Sequence, residues 1–215
     1  SQLISWSHQG SITLSSSTYN SISYALESNK DQIHASFEVY LQGSYRNSTN
    51  IFGNSDVDVV VEMTSTFYSN LTEEESHSLN LESASIGWTE FRESVLSILL
   101  SYYGAGNIDT SGSNSIKIKK ASNRLNADVV VSSNYKYYED LRVHANGITF
   151  YSLPNYDQII NYPKLHYENG ISKNSSTRNL YKPIIRIFKN IKERIITDNS
   201  QYQEKFPSFF IENLL

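Results

Sequence analysis

Residues 43–63 read GSYRNSTNIFGNSDVDVVVEM, and the rest of the chain is best understood outward from them. Gly43-Ser44 is predicted to open a turn, and Ser55-Asp56-Val57-Asp58 runs directly into Val59-Val60-Val61. Side chains alternate across a strand, so Asp56 and Asp58 are expected on one side and Val57, Val59 and Val61 on the other. Two carboxylates this close repel each other unless a cation lies between them. Hard oxygen ligands of this kind suit Mg²⁺, which takes one or two protein carboxylates and completes its shell with water and substrate phosphates. The stretch predicts metal-assisted chemistry on a nucleotide.

The flanking sequence supplies an α/β frame. Ser15 to Ser17 read as an N-cap region and residues 18–30 as a helix, with Tyr19, Ile22, Ala25 and Leu26 at helical spacing. Residues 33–42 alternate, with Phe37, Val39 and Leu41 on one side, and fit a strand or a helix-to-strand passage into Gly43. Strand 57–63 follows, then an acidic helix start capped at Thr72-Glu73-Glu74-Glu75. Residues 88–103 form an amphipathic helix ending near Gly104. Short strands are predicted at Ile116 and Ile118 and from Ala127 to Val131, and a hairpin turn at Asn146-Gly147. Asn161-Tyr162-Pro163 breaks the pattern. Residues 175–196 read as a basic amphipathic helix in which Pro183 marks either a kink or the true start. The sequence stops within another apolar pattern, 206–215.

Composition narrows the function classes. The 215 residues suit one domain, or one domain and part of a second, and can bury a substantial core. With no cysteine, disulfides, thiol catalysis and Cys-based zinc sites are excluded. A net charge of −4 argues against an extended nucleic-acid track. No apolar run is long enough to span a bilayer and no signal-peptide pattern opens the sequence, so no membrane association and a cytoplasmic location are expected.

Gly43-Ser44, a spacer and Asp-x-Asp on a strand together resemble the nucleotidyltransferase signature. The fuller pattern is Gly43-Ser44-x-Arg46-x-x-Thr49-x-Ile51 followed by Ser55-Asp56-x-Asp58, which is similar to the bacterial relatives of cyclic GMP-AMP synthase. A second matching stretch runs from Tyr162-Pro163-Lys164-Leu165-His166-Tyr167-Glu168-Asn169-Gly170 to Thr177, Tyr181-Lys182 and Arg186. The resemblance implies a polymerase-β-like fold, a mixed twisted sheet with flanking helices. It also implies synthesis of a cyclic di- or trinucleotide signal from NTPs in anti-phage defence, alongside defence-operon partner proteins. Residues 1–160 would be the catalytic core and 161–215 the start of a helical C-terminal region that continues further in relatives.

The resemblance also assigns roles. Asp128, at the head of Ala127-Asp128-Val129-Val130-Val131, is its third acid; by itself this residue reads as a turn cap before a buried strand. Two ions, Mg²⁺ or Mn²⁺, would then be held by Asp56, Asp58 and Asp128. The Gly43 backbone and Ser44 hydroxyl are expected to receive the triphosphate of ATP, GTP or a pyrimidine NTP. Ser55 either donates to the same phosphates or ends the loop. Lys173 and Lys182 are expected to neutralise phosphate charge, whereas Lys189 and Lys192 read as a solvated helix face. Asn169 either reads a base edge or forms an Asn-Gly turn. His166 reads as structural, and Tyr135, Tyr137 and Tyr138 as candidates for base stacking. Transfer to a tRNA end or a protein hydroxyl, and a silent nucleotide-binding domain, remain the other classes open to these residues.

Overall fold

The computed structural model describes residues 1–53, 55–198 and 207–214. At its centre β2 (Val57–Ser69) and β5 (Ala127–Tyr138) run parallel. β1 (Phe37–Leu41) flanks β2 antiparallel, with Leu41 opposite Val59 and Phe37 opposite Met63. The other side of β5 is divided between two partners. β4 (Ile116–Ile118) takes its first residues and leads to β3 (Ile108–Asp109), while β6 (His144–Ser152) takes its last and leads to β7 (Asp157–Asn161). Between these partners the Trp88 indole N–H donates to the Val131 carbonyl at 2.7 Å, giving that acceptor a partner where no strand supplies one.

A parallel pair needs a crossover, and here it is α4 (Glu73–Ser78) followed by α5 (Trp88–Tyr103). Thr72 and Glu75 form the expected capping box at the start of α4. Ile22 and Leu26 of α2 (Thr13–Glu27) and Phe91, Val95 and Leu99 of α5 cover one sheet face, closing over Val57, Val59, Val61, Val129 and Val131. Fully burying each such aliphatic or aromatic side chain is worth about 1.5–3 kcal/mol. α2 begins earlier than its serine cluster suggests. Ser15 and Thr18 lie inside it, buried, with hydroxyls turned back to the Ile12 and Leu14 carbonyls at 2.9 and 2.7 Å. Thr18 also accepts from the Leu125 amide, so its hydroxyl ties the helix to the segment leading into β5.

On the opposite side the short helix α3 (Gly43–Asn47) packs on β2 and α6 (Pro163–Ser176) on β6, while α7 (Tyr181–Asp198) packs on α6 and carries α8 (Ser208–Leu214) and α1 (Gln2–Ser7). Pro183 lies in the first turn of α7, so it marks a start rather than a kink. Residues 177–180 fall between two helices, where Arg178 and Asn179 adopt positive φ. In the C-terminal apolar stretch, Phe206 and Leu215 lie outside the described residues.

Asn146-Gly147 is not a turn. Both residues are in β6, opposite Lys136 and Tyr135, and the reversal occurs at 139–143, where the Asp140 carboxylate accepts from the Arg142 and Val143 amides. An aspartate bonding its own backbone two residues on makes a turn that competes with Asn-Gly. Gly147 serves close approach instead: a Cβ there would lie 2.8 Å from the Asn161 carbonyl oxygen and 2.9 Å from the Tyr162 ring. Gly147→Ala is therefore expected to destabilise the fold by about 1–3 kcal/mol through forced backbone movement, read as a lower urea midpoint.

Candidate functional site

The face of β2 and β5 turned away from the α2–α5 core carries the acids. Asp58 and Asp128 are register partners on the parallel pair and so face the same side of the sheet; Asp56 immediately precedes β2. These strands are interior to the sheet, so the acids sit at their N-terminal ends rather than on a sheet edge. Burial raises the Asp58 carboxyl to about 6, with the charges of Asp128 and Asp56 adding to the rise and Lys189 opposing it. Asp56 accepts from the Asn126 amide at 3.1 Å. Asp128 accepts from the Ser115 hydroxyl at 2.9 Å and lies 3.7 Å from the Lys117 ammonium.

As the side chains stand, no group of three or more histidines or acids among the described residues is drawn together around a cation. The donor set nonetheless fits a hard divalent ion, since every candidate ligand is a carboxylate oxygen. Burial first, and the charges of Asp128 and Asp56 second, raise the Asp58 carboxyl, and a bound cation would offset both.

Gly43 starts α3 at φ +64° and is backed directly onto Asp58, so that a Cβ at this position would overlap Oδ2 of that carboxylate. Gly43, Arg46, Asn47 and Asp58 line a cleft of about 340 Å³ that Tyr162, His166 and Phe209 close from the far side. A neighbouring cleft of about 410 Å³ shares Pro163 with it and is lined by Glu62, Asn134, Lys164 and Glu168, among others. Its polar lining is incompletely paired: the side-chain amide oxygen Oδ1 of Asn134 is buried and has no partner among the described residues. Glu62, buried, accepts from Tyr40 at 2.7 Å and pairs with Lys164 at 3.0 Å.

The remaining residues singled out in the sequence are spread more widely. Ser44 is half-buried in α3, next to Gly43. The Ser55 hydroxyl donates to the Phe52 carbonyl at 3.4 Å, a loop-ending bond. Arg46 stacks over Tyr167 at 4.0 Å, and Lys182 approaches the same ring at 5.9 Å. Burial, with Arg186 adding to it, pulls the Lys182 ammonium below the ordinary lysine range. Lys173 and Asn169 are exposed on α6, and Asn169-Gly170 is helical, not a turn. Tyr135 is buried, whereas Tyr137 is exposed and Tyr138 packs against His144 at 5.1 Å.

Lys189 overturns its expectation as part of a solvated face. It is 4% exposed, and its ammonium bonds Glu212 at 2.5 Å. Glu212, on α8, also accepts from Thr49 at 2.6 Å and lies 3.2 Å from His166. Burial works against ionisation of Glu212, but the Lys189 charge and the bonds from Lys189, Thr49 and His166 outweigh it and hold the carboxyl below the usual range. Glu212 escapes a sequence reading because one acid among apolar residues in a short segment gives no periodic signal.

Known proteins are similar to this chain in sequence and in fold. Residues 168–215 match the model of the cGAS/DncV-like nucleotidyltransferase C-terminal helical domain. The chain is 44% identical to the cyclic UMP-AMP synthase of Rhodothermus marinus over all of its own length and 74% of the relative's. It is 37% identical to the cyclic nucleotide synthase CdnE01 of Staphylococcus haemolyticus, covering 98% of this chain and 73% of that one. The structure of the Rhodothermus marinus CdnE c-UMP-AMP synthase with Apcpp and Upnpp superposes with a TM-score of 0.88 at 40% identity, over 98% of this chain and 72% of that one. The Elizabethkingia meningoseptica CdnE cyclic dinucleotide synthase with GTP and Apcpp gives 0.77 at 30% identity, over 98% and 72%.

Proposed function

We propose, from the premise that this chain belongs to the cGAS/DncV-like nucleotidyltransferase family, that it joins two or three NTPs into a cyclic oligonucleotide. The observation carrying this reading is the in-register pair Asp58–Asp128, with Gly43 backed onto Asp58 and Asp56 alongside. Relatives bearing the names of cyclic dinucleotide synthases, and a neighbour solved with two nucleotide analogues, support it. The two adjoining clefts offer room for a pair of nucleotides on one sheet face.

In this reading Asp56, Asp58 and Asp128 hold Mg²⁺ or Mn²⁺, which when bound neutralises charge on the phosphates and on the attacking and leaving oxygens. The Gly43 backbone and the Ser44 hydroxyl receive the triphosphate, and Lys173 and Lys182 offset its charge; Ser55 joins them if its bond to Phe52 is released. The Asp128 carboxylate takes the proton of the acceptor ribose hydroxyl. That oxygen forms a bond to the α-phosphorus of the donor NTP, the bond from that phosphorus to the bridging oxygen breaks, and pyrophosphate departs. A second transfer closes the ring. Asn169, on the exposed side of α6, is the residue proposed to read a base edge. In the same reading residues 1–160 serve as the catalytic core and residues 161–215 belong to a helical C-terminal region. The product serves as an anti-phage signal made in the cytoplasm. Among the described residues no helix is long and apolar enough to cross a membrane.

The test is direct. Protein incubated with Mg²⁺ and the four NTPs is expected to release pyrophosphate and yield a phosphatase-resistant small product, with mass spectrometry identifying the joined bases. Label from α-³²P NTPs appearing on protein or tRNA instead would replace this reading with macromolecular transfer.

A further inference from the structure

We infer that Glu212 is a positioning residue, a buried latch on α8 that fixes the segment 43–49 against Asp58. Its carboxylate reaches four side chains on three other parts of the chain. Oε1 accepts from Lys189 of α7 at 2.5 Å and from Thr49 at 2.6 Å; Oε2 accepts from Asn47 at 3.3 Å and lies 3.2 Å from His166 of α6. Glu212, Asn47, Thr49 and Lys189 are all at least nine-tenths buried. Such a group is held rigidly, because any partner that moves away leaves a desolvated charge behind.

The grip falls on the stretch directly following Gly43-Ser44. Asn47 is the last residue of α3, Ser48 turns the chain at φ +57°, and the Thr49 amide donates back to the Ser44 carbonyl at 2.9 Å. Arg186 of α7 holds the Ser48 carbonyl at 2.5 Å, and the Tyr181 hydroxyl holds the Glu212 carbonyl at 2.5 Å. Thr49 thereby acquires a role within the motif that drew attention to it: its hydroxyl is a rivet for the turn behind Ser44. Asn47 and His166 each touch the latch and line the cleft that contains Asp58 and Gly43, and Phe209, one turn before Glu212, stacks on His166 at 5.2 Å in the same wall. Glu212 itself lines neither that cleft nor its neighbour. Its effect on nucleotide binding rests on the function proposed above, and passes through the placement of Gly43 and Ser44.

The experiment compares wild type, Glu212→Gln, and the doubly substituted Lys189→Met/Glu212→Leu. The double variant removes both buried charges together, and so keeps a folded protein to measure where the single change leaves Lys189 unpaired. Hydrogen exchange of amides 44–49 is followed without nucleotide, and binding of each α,β-nonhydrolysable NTP with Mg²⁺ is measured by calorimetry. Exchange across 44–49 is expected to accelerate about tenfold or more in the folded variants. NTP affinity should weaken by about 10- to 100-fold, with KM rising and kcat at saturating NTP changing far less. A folded double variant with wild-type exchange and wild-type affinity overturns the latch. Faster exchange in the variants, combined with a wild type that binds no NTP, keeps the latch and overturns the nucleotide reading.

Discussion

Asparagine in place of Asp58 is expected to lower phosphodiester synthesis by at least about 10²–10³-fold without loss of thermal stability in the ion-free protein. The substitution keeps side-chain volume and removes one of the carboxylates proposed to hold the metal. In the folded protein burial, Asp128 and Asp56 hold this carboxyl at about 6, above its ordinary 3.8. A carboxyl raised in this way destabilises the fold once ionised: the cost is fully present above about pH 6 and disappears as pH falls through the ordinary carboxylate value. Removing the charge relieves that cost, so the thermal midpoint near neutral pH should hold or rise while pyrophosphate release collapses. Folded variant protein that still turns over at the wild-type rate would remove Asp58 from the chemistry. A collapse of folding and activity together would mean that the group is structural.

Gly43→Ala should be nearly as damaging to activity, by a different route. Gly43 has φ +64°, a backbone geometry costing a side-chain-bearing residue about 1–2 kcal/mol, and its added methyl would overlap Asp58 Oδ2. The cheapest relief is rotation of that carboxylate away from α3, which misplaces it relative to Asp128. A shift on the order of 1 Å at such a group costs about 10²-fold in rate. The expected result is a fall of that size in kcat/KM alongside a modest drop in the urea midpoint. A stability change of the predicted size with full activity would separate Gly43 from the acid site.

Much of this architecture is legible in local sequence. α5 has a continuous apolar stripe and ends at Gly104, and Thr72 with Glu75 announces α4, because both signals depend on neighbours within one or two turns. The Val runs behind Asp58 and Asp128 identify two strands, yet nothing local says that they pair in parallel with those aspartates opposite each other. That register is set by α2 and α5 covering one face of both strands. α6 escapes notice because none of its residues is buried, so it lacks the apolar period that marks a helix. Asn146-Gly147 misleads because turn-forming residues are also tolerated in strands, and the glycine here answers to Asn161 and Tyr162, not to its sequence neighbours. The same holds for Lys189. A lysine on an amphipathic helix looks solvated until a carboxylate distant along the chain buries it, and only tertiary packing brings Glu212 there.

β2 departs from even pairing with β5 between Met63 and Phe67, whose partners Ser133 and Asn134 are consecutive. Upstream of this irregularity, adding or deleting one residue would invert the strand, turning carboxylates into the core and valines into the cleft. Within it, at 64–66, the same change would merely enlarge or shrink the bulge. Insertions and deletions among homologous β2 strands should therefore cluster at 64–66 and spare 56–63, so that the bulge serves as an expansion joint isolating the acids from drift in strand length.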